Sequence, residues 1–377
     1  MKDWAARIQS SLKKISDNNF ADKSGIMANS AIAIHVGVLI PTFNRASYLR
    51  LAVNSSLNQS YSNLEIIVID NGSADGTAQF MASISDPRVR YVVNEKNIGM
   101  IGSINKGIAL LSDEVEWCTI LSDDDLLDRD CITNLLHTAI DTKAKSIVHS
   151  HRIFIDKHGN KIQEAPFSPR EETAFDYMKM RSQAKRETYL TGVLFNRKSF
   201  GEIGGYPSFA TGLATDDAFI FALALKDRLC FAQNAIAYIR IHEEAESRLF
   251  SDGMIKMQTI QQFGEYCRRA AQQSDAFDKL QYGEFEKFLN KHIGILNSLC
   301  WIQTAHYALS QKIMNHEQLS ELFLLARSNP DKFTFRVKLA VACQRLAGIF
   351  PEKYACYRAC WENLLRFSLS LRKLIAP

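Results

Sequence analysis

An α/β fold, a mostly parallel sheet flanked by helices with an all-helical region behind it, is what this 377-residue sequence predicts. Three observations predict it. Between residues 34 and 121, short β-rich runs alternate three times with stretches of helical apolar spacing, and a fourth apolar run closes the series. Each run ends in a cluster of turn-forming or charged residues. Beyond about residue 250 the apolar pattern is helical throughout.

Ile34 to Ile40 is a β-rich run stopped by Pro41, and from Arg45 the positions Leu49, Ala52, Val53, Ser56 and Leu57 mark one face of a helix. Leu64 to Ile69 repeats the strand, followed by the turn Asp70-Asn71-Gly72-Ser73 and a helix carrying Thr77, Phe80, Met81 and Ile84 inward. Arg88 to Val93 gives a third strand, Asn94 to Gly99 a third turn, and Ile101, Ile104, Ile108 and Leu111 a third helical stripe. Trp117 to Leu121 is the fourth strand. Parallel sheets bind ligands outside the carboxyl ends of their strands. The unusual polar residues fall there: Pro41-Thr42-Phe43-Asn44-Arg45, Asp70-Asn71, Asn97-Ile98-Gly99 and the run Asp123-Asp124-Asp125. Turn formation accounts for any one of these clusters, and less well for their convergence on one edge.

The aspartate run organises the chain. Two unit charges about 4 Å apart repel by roughly 4 kcal/mol at an effective dielectric of 20, so three adjacent carboxylates are costly unless something positive binds them. A hard divalent cation, Mg²⁺ or Mn²⁺, takes oxygen ligands of this kind and keeps its other positions for water and phosphates. The alternative is that Ser122 and the aspartates cap the following helix, with Asp128 and Asp130 favouring its positive end. The triplet by itself does not decide between them.

In the second half, Lys145 to Ile155 alternates apolar and polar residues before a turn at Lys157-His158-Gly159-Asn160, a hairpin that places His149 and His151 on one face. Without a third ligand nearby, that pair reads as structural or as an acceptor contact. Tyr189 to Asn196 reads as a buried strand and Gly201 to Pro207 as a glycine-rich turn. Asp216-Asp217 opens an apolar helix from Ala218 to Leu225, where an N-cap is the plain reading. His242 follows a strand from Ala235 to Ile241.

Composition bounds the function. With 46% hydrophobic residues and a net charge of +4, the chain is an ordinary globular protein, large enough for two domains and too mildly basic to imply a nucleic-acid binder. Eight cysteines without a C-x-x-C pair read as reduced core residues. No run approaches the roughly 18 apolar residues of a membrane span, and the N-terminus lacks the apolar core of a signal peptide, so a soluble cytoplasmic protein is expected. Residues 1–30 carry a short amphipathic stripe of Trp4, Ile8, Leu12 and Ile15, expected to form a helical extension.

Taken in order, VGVLIPTFNR from 37, EIIVIDNGSADGT at 65–77, NEKNIGMIGSINKGI at 94–108, ILSDDDLLDRD at 120–130, IGGYPSFATGLATDDAFIFALAL at 203–225 and YIRIHEEAES at 238–247 resemble a nucleotide-diphospho-sugar glycosyltransferase of family 2 with the GT-A fold. The resemblance covers roughly residues 34 to 250. It implies a catalytic domain at 31–250, and the helical apolar pattern beyond it is expected to form a C-terminal domain at 251–377. It implies that Pro41, Thr42, Asn44 and Arg45 lie at the nucleotide, that Asp70 and Asn71 hold base and ribose, and that Gly99, Asn105 and Asp123 border the donor. The family usually has two acids where this chain has Asp70 then Asn71, which leaves uridine and thymidine both open. The family's D-x-D matches either Asp123 with Asp125 or Ser122 with Asp124, and Asp124 is taken as the firmest metal ligand. The cation would be held by Asp124, by Asp123 or Asp125, and by His242. Asp217 would be the catalytic base beside Asp216.

The resemblance thus implies an inverting, metal-dependent transfer of one sugar from a UDP- or dTDP-sugar to a hydroxyl of a glycan or lipid-linked acceptor. The Q-x-x-R-W motif of processive members is not found. Between 331 and 377 nine basic residues face three acids, a local +6 interleaved with Trp361 and leucines, expected either to touch an anionic membrane at the cytoplasmic face or to form a solvated face of a bundle. Two rivals are a sugar-nucleotide pyrophosphorylase, which needs an N-terminal glycine-rich phosphate loop this chain lacks, and a non-catalytic GT-A binding module. A dinucleotide-binding domain is disfavoured because no G-x-G-x-x-G follows the first strand.

Overall fold

The computed structural model describes residues 34–242 and 253–311. The expected N-terminal extension and the basic segment 331–377 lie outside the described residues.

The alternation read from the sequence is the alternation built. β1 (His35–Thr42), α1 (Ala46–Leu57), β2 (Leu64–Asp70), α2 (Thr77–Ala82), β3 (Val89–Val93), α3 (Gly99–Leu110) and β4 (Val115–Ile120) follow one another, and the four strands pair in parallel in the order β3-β2-β1-β4. β1 runs two residues further than expected, through Pro41 to Thr42. Leu39 faces β4, since its carbonyl accepts from Leu121 N, and Pro41 shares its orientation. Pairing with β4 ends at Leu39 and Ile120, so the missing proline N–H falls where no partner strand remains.

The second half is mixed. It comprises β5 (Leu126–Leu127), α4 (Cys131–Asp141), β6 (Ile147–Ile155), β7 (Lys161–Glu164), β8 (Glu171–Glu172), α5 (Ala174–Ser182), β9 (Val193–Asn196), α6 (Arg197–Glu202), α7 (Thr215–Lys226), β10 (Leu229–Arg240), α8 (Gly253–Gln272) and α9 (Lys279–Gln311). The sheet continues β4-β9-β6-β10-β5, with β9 antiparallel to both neighbours and β10 parallel to β6. The hairpin of β6 and β7 forms as expected. Three expectations need correction. β6 does not alternate in exposure: all nine residues are buried, including His149, Ser150, His151 and Arg152. The strand expected from Tyr189 begins only at Val193, after Gly192 at φ +79°. β10 is twelve residues long, because a register shift between Ala232 and Ile236 carries it across the polar Gln233-Asn234.

Alternate strand residues feed two cores, as a doubly covered sheet requires. Val38, Ile40, Ile66 and Val68 point to the face covered by α1 and α4, while Leu39, Ile67 and Ile69 point to the face of α3 and α7. α3 lies so close to β1 that a Cβ on Gly107 would collide with Leu39. α8 and α9 bury Ile260, Phe263, Phe285 and Leu289 in the core shared with Phe219 and Phe221, with the Phe221 and Phe285 rings stacked at 5.3 Å. The core therefore has no break at residue 250. Cys118, Cys131, Cys230, Cys267 and Cys300 are buried, with no disulfide among the described residues. Among those residues no helix is long and apolar enough to cross a membrane.

Candidate active site

The capping alternative for the aspartate run does not hold: β5 intervenes, and the residue at the N-cap of α4 is Asp130. The run instead closes the carboxyl end of β4 and meets two other chain segments there. From the end of β1, Thr42 donates to Asp123 Oδ2 at 2.7 Å. Arg45, at the start of α1, sets one guanidinium nitrogen 3.2 Å from Asp123 Oδ1 and 3.0 Å from Asp124 Oδ2. From the end of β10, His242 Nε2 lies 3.0 Å from the same Asp124 oxygen. Burial and the Asp124 charge push the Asp123 carboxyl up to about 6 against the opposing pull of Arg45 and Thr42.

Asp125 is used differently. Its two oxygens accept from Thr191 Oγ1 at 2.7 Å and from the Arg240 backbone N–H at 2.8 Å, and burial pushes its proton affinity well up. Asp125 pins the loop to the far half of the sheet. Arg240 also donates to the Asp124 carbonyl and lies 5.3 Å over the Tyr48 ring.

Asp70 and Asn71 form the neighbouring loop from within. Asp70 accepts from the Ser73 N–H and hydroxyl and, on its other oxygen, from Tyr91 at 2.5 Å. Asn71 Oδ1 accepts from Asn94 and Ser103, both at 2.9 Å. Asn44, at φ 54°, bridges this loop to the one after β1, accepting from Ala74 N while its own N–H donates to Ser73. Gly99 opens α3 at φ +74°, a conformation that favours glycine, and its N–H donates to Asn97 Oδ1 at 2.8 Å. Asn105 sits away from this loop in its contacts: its side-chain amide exchanges both hydrogen bonds with the Tyr206 backbone, tying α3 to the glycine-rich turn.

The Asp216-Asp217 pair occupies the first turn of α7, behind an N-cap that is Ala214 in the left-handed region, so neither acid is the cap. Asp217 is 4% exposed and enclosed by Arg181, whose Nη2 lies 2.6 Å from Oδ2, by Tyr177 and Thr188 at 2.8 and 2.9 Å from Oδ1, and by His292 of α9 at 3.6 Å. Burial opposes its charge, but the Arg181 guanidinium and the other donors hold its carboxyl far below the usual carboxylate range. Asp216 is half-buried and accepts from the Tyr206 hydroxyl. Burial pushes it up to about 6, the Tyr206 bond opposing and the Asp217 charge adding.

The structure therefore brings Thr42, Arg45, Asp123, Asp124 and His242 together, and places Asp70, Asn71, Asn44 and Gly99 on the adjoining loops. Arg181, Tyr177, Thr188, Thr191 and His292 are contacts the sequence did not announce, because they approach from 29 to 75 positions away with common residue types. Arg240 had a signal: it is two residues before His242, the spacing of one strand face. His149 and His151 do not form a metal pair. His149 Nε2 meets Arg186 at 2.9 Å, and His151 stacks on Phe167.

A family model for glycosyl transferase family 2 matches residues 37–204. The chain carries a family-2 glycosyltransferase domain. An uncharacterized glycosyltransferase of Haemophilus influenzae is 26% identical over 211 residues, 55% of this chain and 79% of that protein. The GalNAc(5)-diNAcBac-PP-undecaprenol beta-1,3-glucosyltransferase of Campylobacter jejuni is 33% identical over 132 residues, 34% of this chain and 41% of that protein. The crystal structure of Staphylococcus aureus TarS residues 1–349 in complex with UDP-GlcNAc has a TM-score of 0.59 at 16% identity, covering 88% of this chain and 90% of that one. That likeness is one of fold.

Proposed function

We propose that this glycosyltransferase moves one sugar, with inversion, from a nucleotide diphosphate sugar to an acceptor hydroxyl, using a divalent cation. The observation that carries the reading is the sharing of Asp124 Oδ2 by Arg45 and His242 at the carboxyl edge of the sheet. Mg²⁺ or Mn²⁺ suits these donors. Asp124 Oδ2 and His242 Nε2 lie 3.0 Å apart, a carboxylate oxygen and an imidazole nitrogen that such a cation would accept as ligands. Among the described residues no group of three His, Cys, Asp or Glu side chains is placed to hold a metal ion. Asp124 and His242 would hold the cation, and once bound it would offset the charge developing on the leaving diphosphate.

This chain's own residues do the rest. Arg45, between Asp123 and Asp124, is placed to turn its guanidinium to phosphate oxygens when the carboxylates take a cation. Thr42 and Asp125 keep the loop in place. For the base we assign Asp216 where the family resemblance implies Asp217. A base must accept a proton, and the Asp217 carboxylate already accepts from a guanidinium and two hydroxyls, whereas Asp216 accepts from the Tyr206 hydroxyl and burial raises its proton affinity. Asp217 then anchors the helix that presents it. A lipid-linked acceptor is supported by the name of the Campylobacter relative, and the family match displaces the pyrophosphorylase alternative.

Calorimetry with UDP-, dTDP-, GDP- and CDP-sugars, in Mn²⁺ and in EDTA, tests the reading. Binding of one donor that collapses in EDTA and in Asp124→Ala is expected, and equal affinity in both media would refute the metal site.

A further inference from the structure

A small cavity of about 30 Å³ opens between the loop Ala165 to Pro169 and the segment Lys185 to Glu187, roughly twice the 10–15 Å³ one water needs. Its floor is Arg152 of β6, which is 5% exposed. That guanidinium is poorly satisfied: Nε has no hydrogen-bond partner, and its contact with the Tyr189 carbonyl is 3.5 Å long. Buried arginines are normally paired and fully hydrogen-bonded, since a buried charge left alone costs several kcal/mol. The neighbours supply the pairing only in part, through the charge of Glu187. Glu172 is taken by Arg186, and Glu187 Oε2 has no hydrogen-bond donor. Around the cavity and the adjoining Asp217, four cations (Arg152, Arg181, Lys185 and Arg186) face three carboxylates (Glu172, Glu187 and Asp217). Lys185 is exposed at the mouth, and Phe167, 61% exposed and stacked on His151, offers an apolar wall.

The cavity also lies where an acceptor would. Two positions beyond Arg186, Thr188 bonds Asp217, and three further on Thr191 bonds Asp125. Two residues of chain span at most about 7 Å, so the cavity adjoins the carboxylate pair. We propose that this cavity is a subsite for an anionic group of the acceptor, a phosphate or a carboxylate, seated between Arg152 and Lys185. It rests on the transferase reading above, and deepens it by naming the acceptor as a negatively charged glycan or lipid-linked sugar.

The probes are inorganic phosphate and acetate, titrated into the full chain and followed by calorimetry, with phosphate binding expected to saturate in the millimolar range. Preference between the two ions separates a phosphorylated from a carboxylated acceptor. Lys185→Glu, at an exposed position, is expected to weaken binding on the order of tenfold or more, the scale of reversing one charge-assisted contact. Arg152→Gln should act in the same direction, with a thermal melt to confirm folding. Absence of saturable binding by either anion, or equal binding in wild type and Lys185→Glu, overturns the subsite. Donor affinity in the wild type reports separately on the transferase reading, so the two can fail independently.

Discussion

The two acidic clusters of this enzyme use one device with opposite electrostatics. In each, one aspartate is spent on anchoring: Asp125 beside Asp124, and Asp217 beside Asp216. Asp125 is held by neutral donors, a hydroxyl and a backbone N–H, so burial dominates and its carboxyl is driven up. Asp217 is held by a guanidinium, so its carboxyl is driven down despite equal enclosure. The difference teaches that the charge of the clasping group, more than depth, sets whether a buried carboxylate keeps its proton.

The largest effect should separate the members of the second pair. Asp216→Asn is expected to lower kcat by about 10²–10⁴-fold, the usual worth of a general base, with donor affinity little changed. Asp217→Asn should act through stability, visible as a lower denaturation midpoint; if instead Asp217→Asn folds normally and alone abolishes turnover, the assignment within the pair reverses.

Next comes the clasp itself. Arg181→Met leaves Asp217 buried without its partner and should cost about 3–5 kcal/mol in urea unfolding. The pH dependence gives the sign. Because the folded Asp217 binds protons less readily than the unfolded chain, its contribution is complete above the unfolded value near 3.9 and is lost as pH falls below it. In Arg181→Met that acid-side loss should disappear, and an unchanged acid limb would argue that the clasp is not the cause.

The smallest effect sharpens the role of Asp216. A base with a carboxyl near 6 must be ionised to work, so kcat/KM should fall as pH drops through about 6. The Tyr206 hydroxyl stabilises the ionised form, so Tyr206→Phe should move that limb upward in pH. A limb that stays put would detach Tyr206 from the titration.

Much of this was legible in the sequence. Four strand runs and their polar ends were readable because parallel strands covered on both faces are short, apolar and punctuated. Asp124, Arg45 and His242 were findable because order and motif marked them. What was not legible depends on tertiary contact. The division of labour within each aspartate run turns on whether a residue meets Thr191, Arg240, Arg181 or His292, and adjacent identical letters cannot show it. β10 was read short, from Ala235, whereas the strand begins at Leu229 and crosses the polar Gln233-Asn234 in a register shift.

His292 carries a consequence for biosynthesis. It reaches Asp217 from 75 positions later in the chain, and at about 5–20 residues per second a ribosome adds that stretch in roughly 4–15 s. During that interval the nascent sheet has Arg181 and Asp217 but not the helix that closes over them. The last wall of the carboxylate's enclosure is thus delivered late, and the enzyme's birth order makes the sheet wait for its helices.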